Sequence, residues 1–290
     1  MLFEVIVIIL LIIILYLILI MPKLKPNSDI DLLYGRHYAH RGLHDNNNHV
    51  PENSLMAFKL AVDKGYGIEL DVQLTKDKVA VIMHDYRLKR ACGLDAMVYD
   101  MDYEELLSYR LFNTDEKIPT LKEALSCIDG KVPVFIELKV PNKARESCQI
   151  VSNELEAYRG FYAIKSFNPF VLLWYKKHKP NVVRGQLSSD FIKKRPKEFQ
   201  GSILRYFLLK HMFFNVFTKP DFISYNHMFK KSLSFTICRS LYKLPTVAWT
   251  IRSEKEMKDC QPYYDIFVFE AFKPMNKLAI KGKELSKGKR

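Results

Sequence analysis

The sequence predicts an α/β protein: a (β/α)8 TIM barrel with an insertion after its second strand, preceded by one N-terminal transmembrane helix. Three observations predict it. Eight short apolar runs, starting at 37, 67, 133, 162, 182, 222, 246 and 265, alternate with helical patterns. A ninth run, Val79 to Met83, follows its neighbour after only Thr75-Lys76-Asp77-Lys78. That link is too short for a parallel crossover, so the run makes an antiparallel hairpin outside the barrel count. Finally, Leu2 to Met21 is nearly unbroken Ile, Leu and Val. The 290-residue chain has room for one barrel of roughly 250 residues plus such an anchor. An open doubly wound sheet is the alternative arrangement of the same elements.

At a rise of 1.5 Å per residue the apolar stretch matches a bilayer core of about 30 Å. It lacks a basic leader and a small-x-small cleavage site, so it reads as an uncleaved, single-pass anchor. Lys23, Lys25 and Arg36 follow it and Glu4 precedes it, which puts the catalytic domain on the cytoplasmic side. The five cysteines, an odd number without CxxC spacing, argue against a disulfide framework or zinc site and agree with a reducing compartment. The expected organisation is an anchor at 1–21, a polar linker at 22–34, the barrel at 35–280 with an insertion at 77–118, and a basic tail at 281–290.

The elements follow in order. The first strand ends at His40, and Asn53 or Ser54 caps a helix through Leu55, Phe58, Leu60 and Ala61 that Gly65 stops. Gly67 to Val72 is the second strand. Thr120 and Glu123 form a capping box for the helix Leu121 to Ile128, closed by Gly130. Strand Pro133 to Val140, a helix over Ala144 to Tyr158 and strand Tyr162 to Ser166 come next, and Asn168-Pro169 opens another helix. Strand Val182 to Leu187, an amphipathic stretch Ser202 to Phe217, strand Phe222 to Tyr225 and a helix near Ser232 to Tyr242 follow. Strand Thr246 to Thr250, a capping box at Ser253 and Glu256, and the run Asp265 to Phe269 complete the chain.

The chemistry lies at strand ends. Glu69 and Asp71 are two apart on an apolar strand and so share a face, and Glu137 and Lys139 repeat the pattern on the next parallel strand. Burying such carboxylates unpaired is prohibitive, whereas a divalent cation makes three of them favourable. Hard oxygen donors without cysteine or a Glu-x-x-His pattern point to Mg2+ or Ca2+ rather than zinc. His40 and His84 close two runs and suit an acid and a base, while Arg41 and Lys139 supply positive charge for an anionic group. Together these groups specify metal-assisted chemistry on a phosphate ester. A lone histidine is more often structural, and that applies to His37, His44, His49, His178, His211 and His227. The net charge of +13 reads as solvated surface or as attraction to anionic lipid headgroups. No nucleic-acid-binding motif accompanies it.

These residues resemble the glycerophosphodiester phosphodiesterase family, as a membrane-anchored bacterial-type member. The resemblance rests on His40-Arg41-Gly42, Pro51-Glu52-Asn53-Ser54 with Ala57-Phe58, Glu69-Leu70-Asp71-Val72 with Thr75-Lys76-Asp77, His84-Asp85, Ile118-Pro119-Thr120-Leu121 and Glu137-Leu138-Lys139. Ser166-Phe167, Asp221-Phe222-Ile223-Ser224 and Trp249-Thr250 look like its later strands. The last strand departs: Phe269-Glu270-Ala271-Phe272-Lys273-Pro274 stands where the family usually has Asp-Gly and an aspartate before a proline. The resemblance implies Glu69, Asp71 and Glu137 as metal ligands and His40 and His84 as the acid–base pair. It places Arg41, Lys139 and Trp249 at the phosphate or substrate. The implied reaction cleaves a glycerophosphodiester to glycerol 3-phosphate and an alcohol. A lysophospholipase D acting on membrane glycerolipids is the alternative, and a catalytically silent membrane-tethered binding module is a third reading. The partners implied are the substrate and the membrane; protein partners are not legible.

Overall fold

The computed structural model describes residues 1–140, 143–193 and 202–275. The expected basic tail at 281–290 lies outside them. Nine strands form one sheet: β1 (Tyr38–His40), β2 (Gly67–Leu74), β3 (Ala80–Ile82), β4 (Val134–Leu138), β5 (Tyr162–Ser166), β6 (Arg184–Ser188), β7 (Phe222–Asn226), β8 (Thr246–Ile251) and β9 (Ile266–Phe269). Their order, β1-β9-β8-β7-β6-β5-β4-β2, closes through a parallel β1–β2 pairing into an eight-stranded barrel. The closed form therefore holds over the open sheet. β3 hangs on β2 antiparallel, with Val72 opposite Ile82, so the short Thr75–Lys78 link does make a hairpin.

The helices are α1 (Leu2–Ile20), α2 (Leu55–Asp63), α3 (Lys89–Cys92), α4 (Tyr103–Leu106), α5 (Leu121–Ile128), α6 (Ala144–Leu155), α7 (Pro169–His178), α8 (Ile203–Lys210), α9 (Asn215–Thr218), α10 (Leu233–Ser240) and α11 (Glu254–Cys260). Ser54 caps α2, accepting from the Ala57 amide, and Thr120 with Glu123 completes the capping box of α5. Two expectations shift. β6 begins at Arg184, because the Val182 amide is already used by a turn to the Lys179 carbonyl. The stretch expected as one amphipathic element splits into α8 and α9, since Met212 adopts a left-handed φ of 57° and buries its side chain between them.

Inside the barrel an aromatic floor supports the site. Tyr38 packs on Phe135 with ring centroids 4.3 Å apart, and Phe135 on Phe222 at 5.4 Å. Gly67 is required there, because a Cβ on it would stand 2.5 Å from the Tyr38 ring. Beneath the floor, Ile30 and Leu33 from a 3-10 turn (Ser28–Leu33) are buried, and the Tyr38 hydroxyl donates to the Leu33 carbonyl at 3.0 Å. The segment read as a polar linker thus closes the lower end of the barrel. Residues 79–118 form a satellite core of their own around Val81, Met83, Leu88, Val98, Leu106 and Leu111.

α1 is long and apolar enough to cross a membrane. Only residues 16–20 of it touch the barrel: Tyr16 meets His211 and Phe213, Ile20 is fully buried, and residues 2–15 are exposed. A helix ends with unsatisfied carbonyls, and here side chains of the barrel satisfy them. Tyr242 donates to the Leu17 carbonyl at 2.8 Å, Asn215 to that of Ile20 at 3.1 Å and Lys219 to that of Met21 at 3.4 Å.

Candidate active site

Strand register assembles the site. In parallel pairing His40 lies opposite Glu69, Asp71 opposite Glu137, and Glu137 opposite Lys165, so the five share the inward face of the strands in two successive rows. This is the end of the barrel where the strands finish, the customary place for catalysis in this architecture. The oxygens of Glu69, Asp71 and Glu137 lie within 4.8 Å of one another, and all three residues are buried. Two ammonium groups neutralise part of that charge. Lys139 is 2.7 Å from Glu137 and 3.3 Å from Asp71, and Lys165 is 2.8 Å from Glu69 and 4.0 Å from Glu137.

Glu69 Oε1 and Asp71 Oδ1 nevertheless have no hydrogen-bond partner; their lysine contacts are ion pairs without a directed hydrogen bond. Three buried carboxylates with two oxygens left over are a donor set of the right number and hardness for a divalent cation. Burial works against ionising Asp71, but Lys139, His84 and Arg41 outweigh it and hold the carboxyl well below its usual range. Burial likewise opposes the Lys139 charge, and Glu137 and Asp71 more than restore it.

His40 is fixed from behind. Its Nδ1 lies 2.5 Å from Glu270 Oε2, which leaves Nε2 on the pocket side, 4.0 Å from Glu69. Burial raises the Glu270 carboxyl, but the contact with His40 and the charge of Arg252 bring it down to about 2. The chain turns out of β1 through Arg41, at φ 56°, and Gly42, at φ 80°. A Cβ on Gly42 would meet that of Ala57 at 2.8 Å, so the helix following the motif packs directly on the turn. The Arg41 amide donates to Glu69 at 3.1 Å and its guanidinium to Glu52 at 2.7 Å, with Asp71 at 3.6 Å.

His84 arrives from the hairpin. Gln73 holds the end of that hairpin by donating to the carbonyls of Met83 and Asp85 at 2.8 and 2.9 Å. His84 Nδ1 lies 2.6 Å from Asp85, Asp85 is 2.6 Å from Arg90 Nε, and Arg90 donates twice to Glu52, at 2.9 and 2.7 Å. One ionic chain therefore runs from His84 through Asp85, Arg90 and Glu52 to Arg41. Burial, with the nearby Lys139 charge, lowers the His84 imidazole to about 4 despite Asp71 and Asp85. It is neutral at neutral pH.

The structure thus gathers His40, Arg41, Glu69, Asp71, His84, Glu137 and Lys139 at one mouth. Trp249 joins the same rim from β8; it is half-buried, its ring edge meets Phe167 at 5.6 Å, and its Nε1 lacks a hydrogen-bond partner. Three residues here escaped sequence reasoning. Lys165 is a single lysine in an otherwise apolar strand, and its parity with Glu137 across the sheet was the available signal. Glu270 stands just past the last apolar run, in the segment noted only for departing from the family pattern. His44, expected to be structural, lies 4.0 Å from Glu270 and forms with it and His40 a second cluster of potential ligands.

Comparison with known proteins fits this geometry. The family model described as "Glycerophosphoryl diester phosphodiesterase family" matches residues 40–264. A glycerophosphodiester phosphodiesterase from Bacillus altitudinis is 31% identical over 167 residues, covering 53% of this chain and 67% of its own. A rat lysophospholipase D is 35% identical over 137 residues, 43% of this chain and 42% of that protein. Among solved structures, a phosphodiesterase from Oleispira antarctica in complex with sn-glycerol-3-phosphate superposes with a TM-score of 0.66 at 23% identity, covering 87% of this chain and 97% of that one. The chain is an enzyme of the phosphoric diester hydrolase class and belongs to the glycerophosphoryl diester phosphodiesterase family.

Proposed function

We propose that the protein hydrolyses glycerophosphodiesters to glycerol 3-phosphate and an alcohol, with His40 and His84 exchanging protons across a phosphate. The observation that carries this reading is the convergence of Glu69, Asp71 and Glu137 at one mouth with His40, from β1, and His84, from the hairpin beside Asp71 and Lys139. The three carboxylates would hold the divalent cation, Mg2+ or Ca2+. When bound, it supplies Lewis acidity toward a phosphate oxygen and a template for the glycerol hydroxyls.

His84, neutral because buried beside Lys139, is the base that takes the proton of the glycerol 2-hydroxyl. That oxygen attacks phosphorus, the bond to the leaving alcohol breaks, and a cyclic phosphate forms. His40, backed by the Glu270 carboxylate at 2.5 Å, donates the proton that the departing alcohol needs. Water then opens the ring with the two roles reversed. Arg41 and Lys139 bring positive charge to the phosphate, and Trp249 walls the substrate on the β8 side. The anchor orientation set by Lys23, Lys25 and Arg36 puts this mouth in the cytoplasm.

A second reading has one observation in its favour. The last turn of α1 is built into the barrel, which keeps the mouth near any membrane that α1 crosses. A lysophospholipid is then an accessible substrate.

The test is the full chain in detergent, with Mg2+ or Ca2+, against glycerophosphocholine, glycerophosphoglycerol and lysophosphatidylcholine. Glycerol 3-phosphate from the first two supports the main reading, and lysophosphatidic acid from the third alone supports the second. Full turnover in metal-stripped protein, or no phosphodiester cleavage with either metal, would overturn both.

A further inference from the structure

Outside the catalytic mouth the charge is distributed unevenly. Residues 169–245 carry fifteen Lys and Arg against three acidic residues, so this quarter of the chain holds twelve of the thirteen net positive charges. Two of the three acids, Asp190 and Asp221, are buried and paired, to Lys210 at 2.9 Å and to Lys23 at 2.9 Å. Among its described residues this stretch itself exposes cations and no carboxylate; Lys179 takes its partner from outside it, Glu156 of α6 at 2.8 Å.

The same flank contains a groove of about 760 Å³ between α6, α7 and α8, a size ordinary for a small-molecule site. Lys143, Arg145 and Lys177 line it, and among the described residues no acidic side chain does. Its apolar wall is Phe170, Leu173, Trp174 and Leu209, of which Phe170 is 63% exposed. Phe214 closes the far side, and its neighbour Phe213 packs edge-on against Tyr16 of α1 at 5.4 Å. The groove and the seat of α1 are thus opposite faces of one short segment. Beside them Ile203, Leu204, Phe207 and Phe217 expose apolar side chains.

We propose that this groove binds one anionic phospholipid, with its phosphate among Lys143, Arg145 and Lys177 and its acyl chain along Phe170, Leu173, Trp174 and Leu209. Charge complementarity and continuity with the apolar helix name the occupant. A cationic rim over an apolar wall matches an anionic headgroup over an acyl chain, and α1 delivers this flank to the place where such lipids lie. The consequence is a flank held against the headgroup layer. The inference concerns a surface apart from the carboxylate cluster, and its readout does not depend on turnover.

Trp174 is a built-in reporter, since the chain has only two tryptophans. The full chain carrying Trp249→Phe is reconstituted into nanodiscs containing phosphatidylglycerol or phosphatidylcholine with brominated acyl chains at equal mole fraction. Trp174 emission is expected to be quenched more strongly by the anionic lipid. Each cation contributes on the order of fivefold to the preference. The triple variant Lys143→Gln, Arg145→Gln, Lys177→Gln is expected to lose it. Equal quenching by the two lipids, or none by either, overturns the proposal. Abolition of the preference by millimolar inorganic phosphate also overturns it, by assigning the cations to a free anion. Should Trp249→Phe not fold, Trp249→Tyr takes its place, and the same outcomes are read on Trp174 emission.

Discussion

The two halves of the barrel use charge in opposite ways. Through residue 168 the chain has twenty Lys and Arg against twenty-three Asp and Glu, and the ones that matter are buried in mutual contact. Lys165, fully enclosed at 1% exposure, sits 2.8 Å from Glu69; Arg90 reaches both oxygens of Glu52. From α7 to α10 most of the described cations reach solvent, Arg184 being the buried exception, and the stretch's two described acids, Asp190 and Asp221, are buried. The buried charges in the first half are held in direct ion pairs, at a desolvation cost that only close pairing offsets. Those in the second half act at longer range and are screened by salt. The first arrangement suits chemistry on one phosphate, and the second suits adhesion to a surface carrying many.

The sharpest way to break this comparison is to remove a proton-transfer group. His84→Ala and His40→Ala are each expected to lower kcat by about 10²- to 10⁴-fold in the glycerophosphocholine assay while leaving the far-UV spectrum unchanged. Near-wild-type turnover in either would sink the acid–base assignment. Next in size is Lys165→Met. Removing one member of a buried ion pair costs about 3–5 kcal/mol, so thermal unfolding of the full chain in detergent should show a large drop in Tm. Lys231→Met, on the outward-facing flank, should shift stability by no more than about 0.5 kcal/mol. Equal effects of the two substitutions would contradict the division into buried and surface charge.

How much of this was legible in the sequence follows the same division. Glu69, Asp71, Glu137 and Lys139 were readable because alternation on apolar strands fixes which side chains share a face, and the closed barrel preserves that rule. Lys165 obeys it too, yet it comes as a single charge with no same-strand partner, and only the β4–β5 register brings it to Glu69. Glu270 lies beyond the last strand, where no periodicity operates. The seat of α1 was illegible for a different reason. Leu17, Ile20 and Met21 offer the barrel carbonyl groups, which every sequence has, and the donors Tyr242, Asn215 and Lys219 lie some two hundred residues away.

A pH profile sharpens the comparison further. Burial and the Lys139 charge lower His84 to about 4, so its neutral, basic form persists well below the ordinary histidine value of 6.5. The acid limb of kcat/KM should therefore fall near pH 4, and a limb at the ordinary histidine value would contradict the burial of His84. Stability has a matching sign. Unfolded chains protonate this histidine below 6.5 while folded ones resist until about 4, so denaturation at constant temperature should become easier across that window. Glu270, depressed to about 2 from 4.5, adds stability above 4.5 that is lost as pH falls toward 2.

A more modest loss than that of a buried ion pair is expected where the anchor meets the barrel. α1 ends without a glycine and with no basic residue in its last turn, so its terminal carbonyls depend on donors from elsewhere in the fold. Tyr242→Phe keeps the ring and deletes one donor, the hydroxyl 2.8 Å from the Leu17 carbonyl. The contact is only partly buried, so water can replace it in part, and the loss should be about 0.5–1.5 kcal/mol. Asn215→Ala removes the donor to Ile20 in a fully buried position, where water has no access, and should cost about 1–3 kcal/mol. Both are read as Tm shifts of the full chain in detergent, with kcat on glycerophosphocholine unchanged, since neither residue borders the carboxylate cluster. If Tyr242→Phe lowered kcat as much as it lowered stability, the seat of the anchor and the catalytic layer would have to be one mechanical unit.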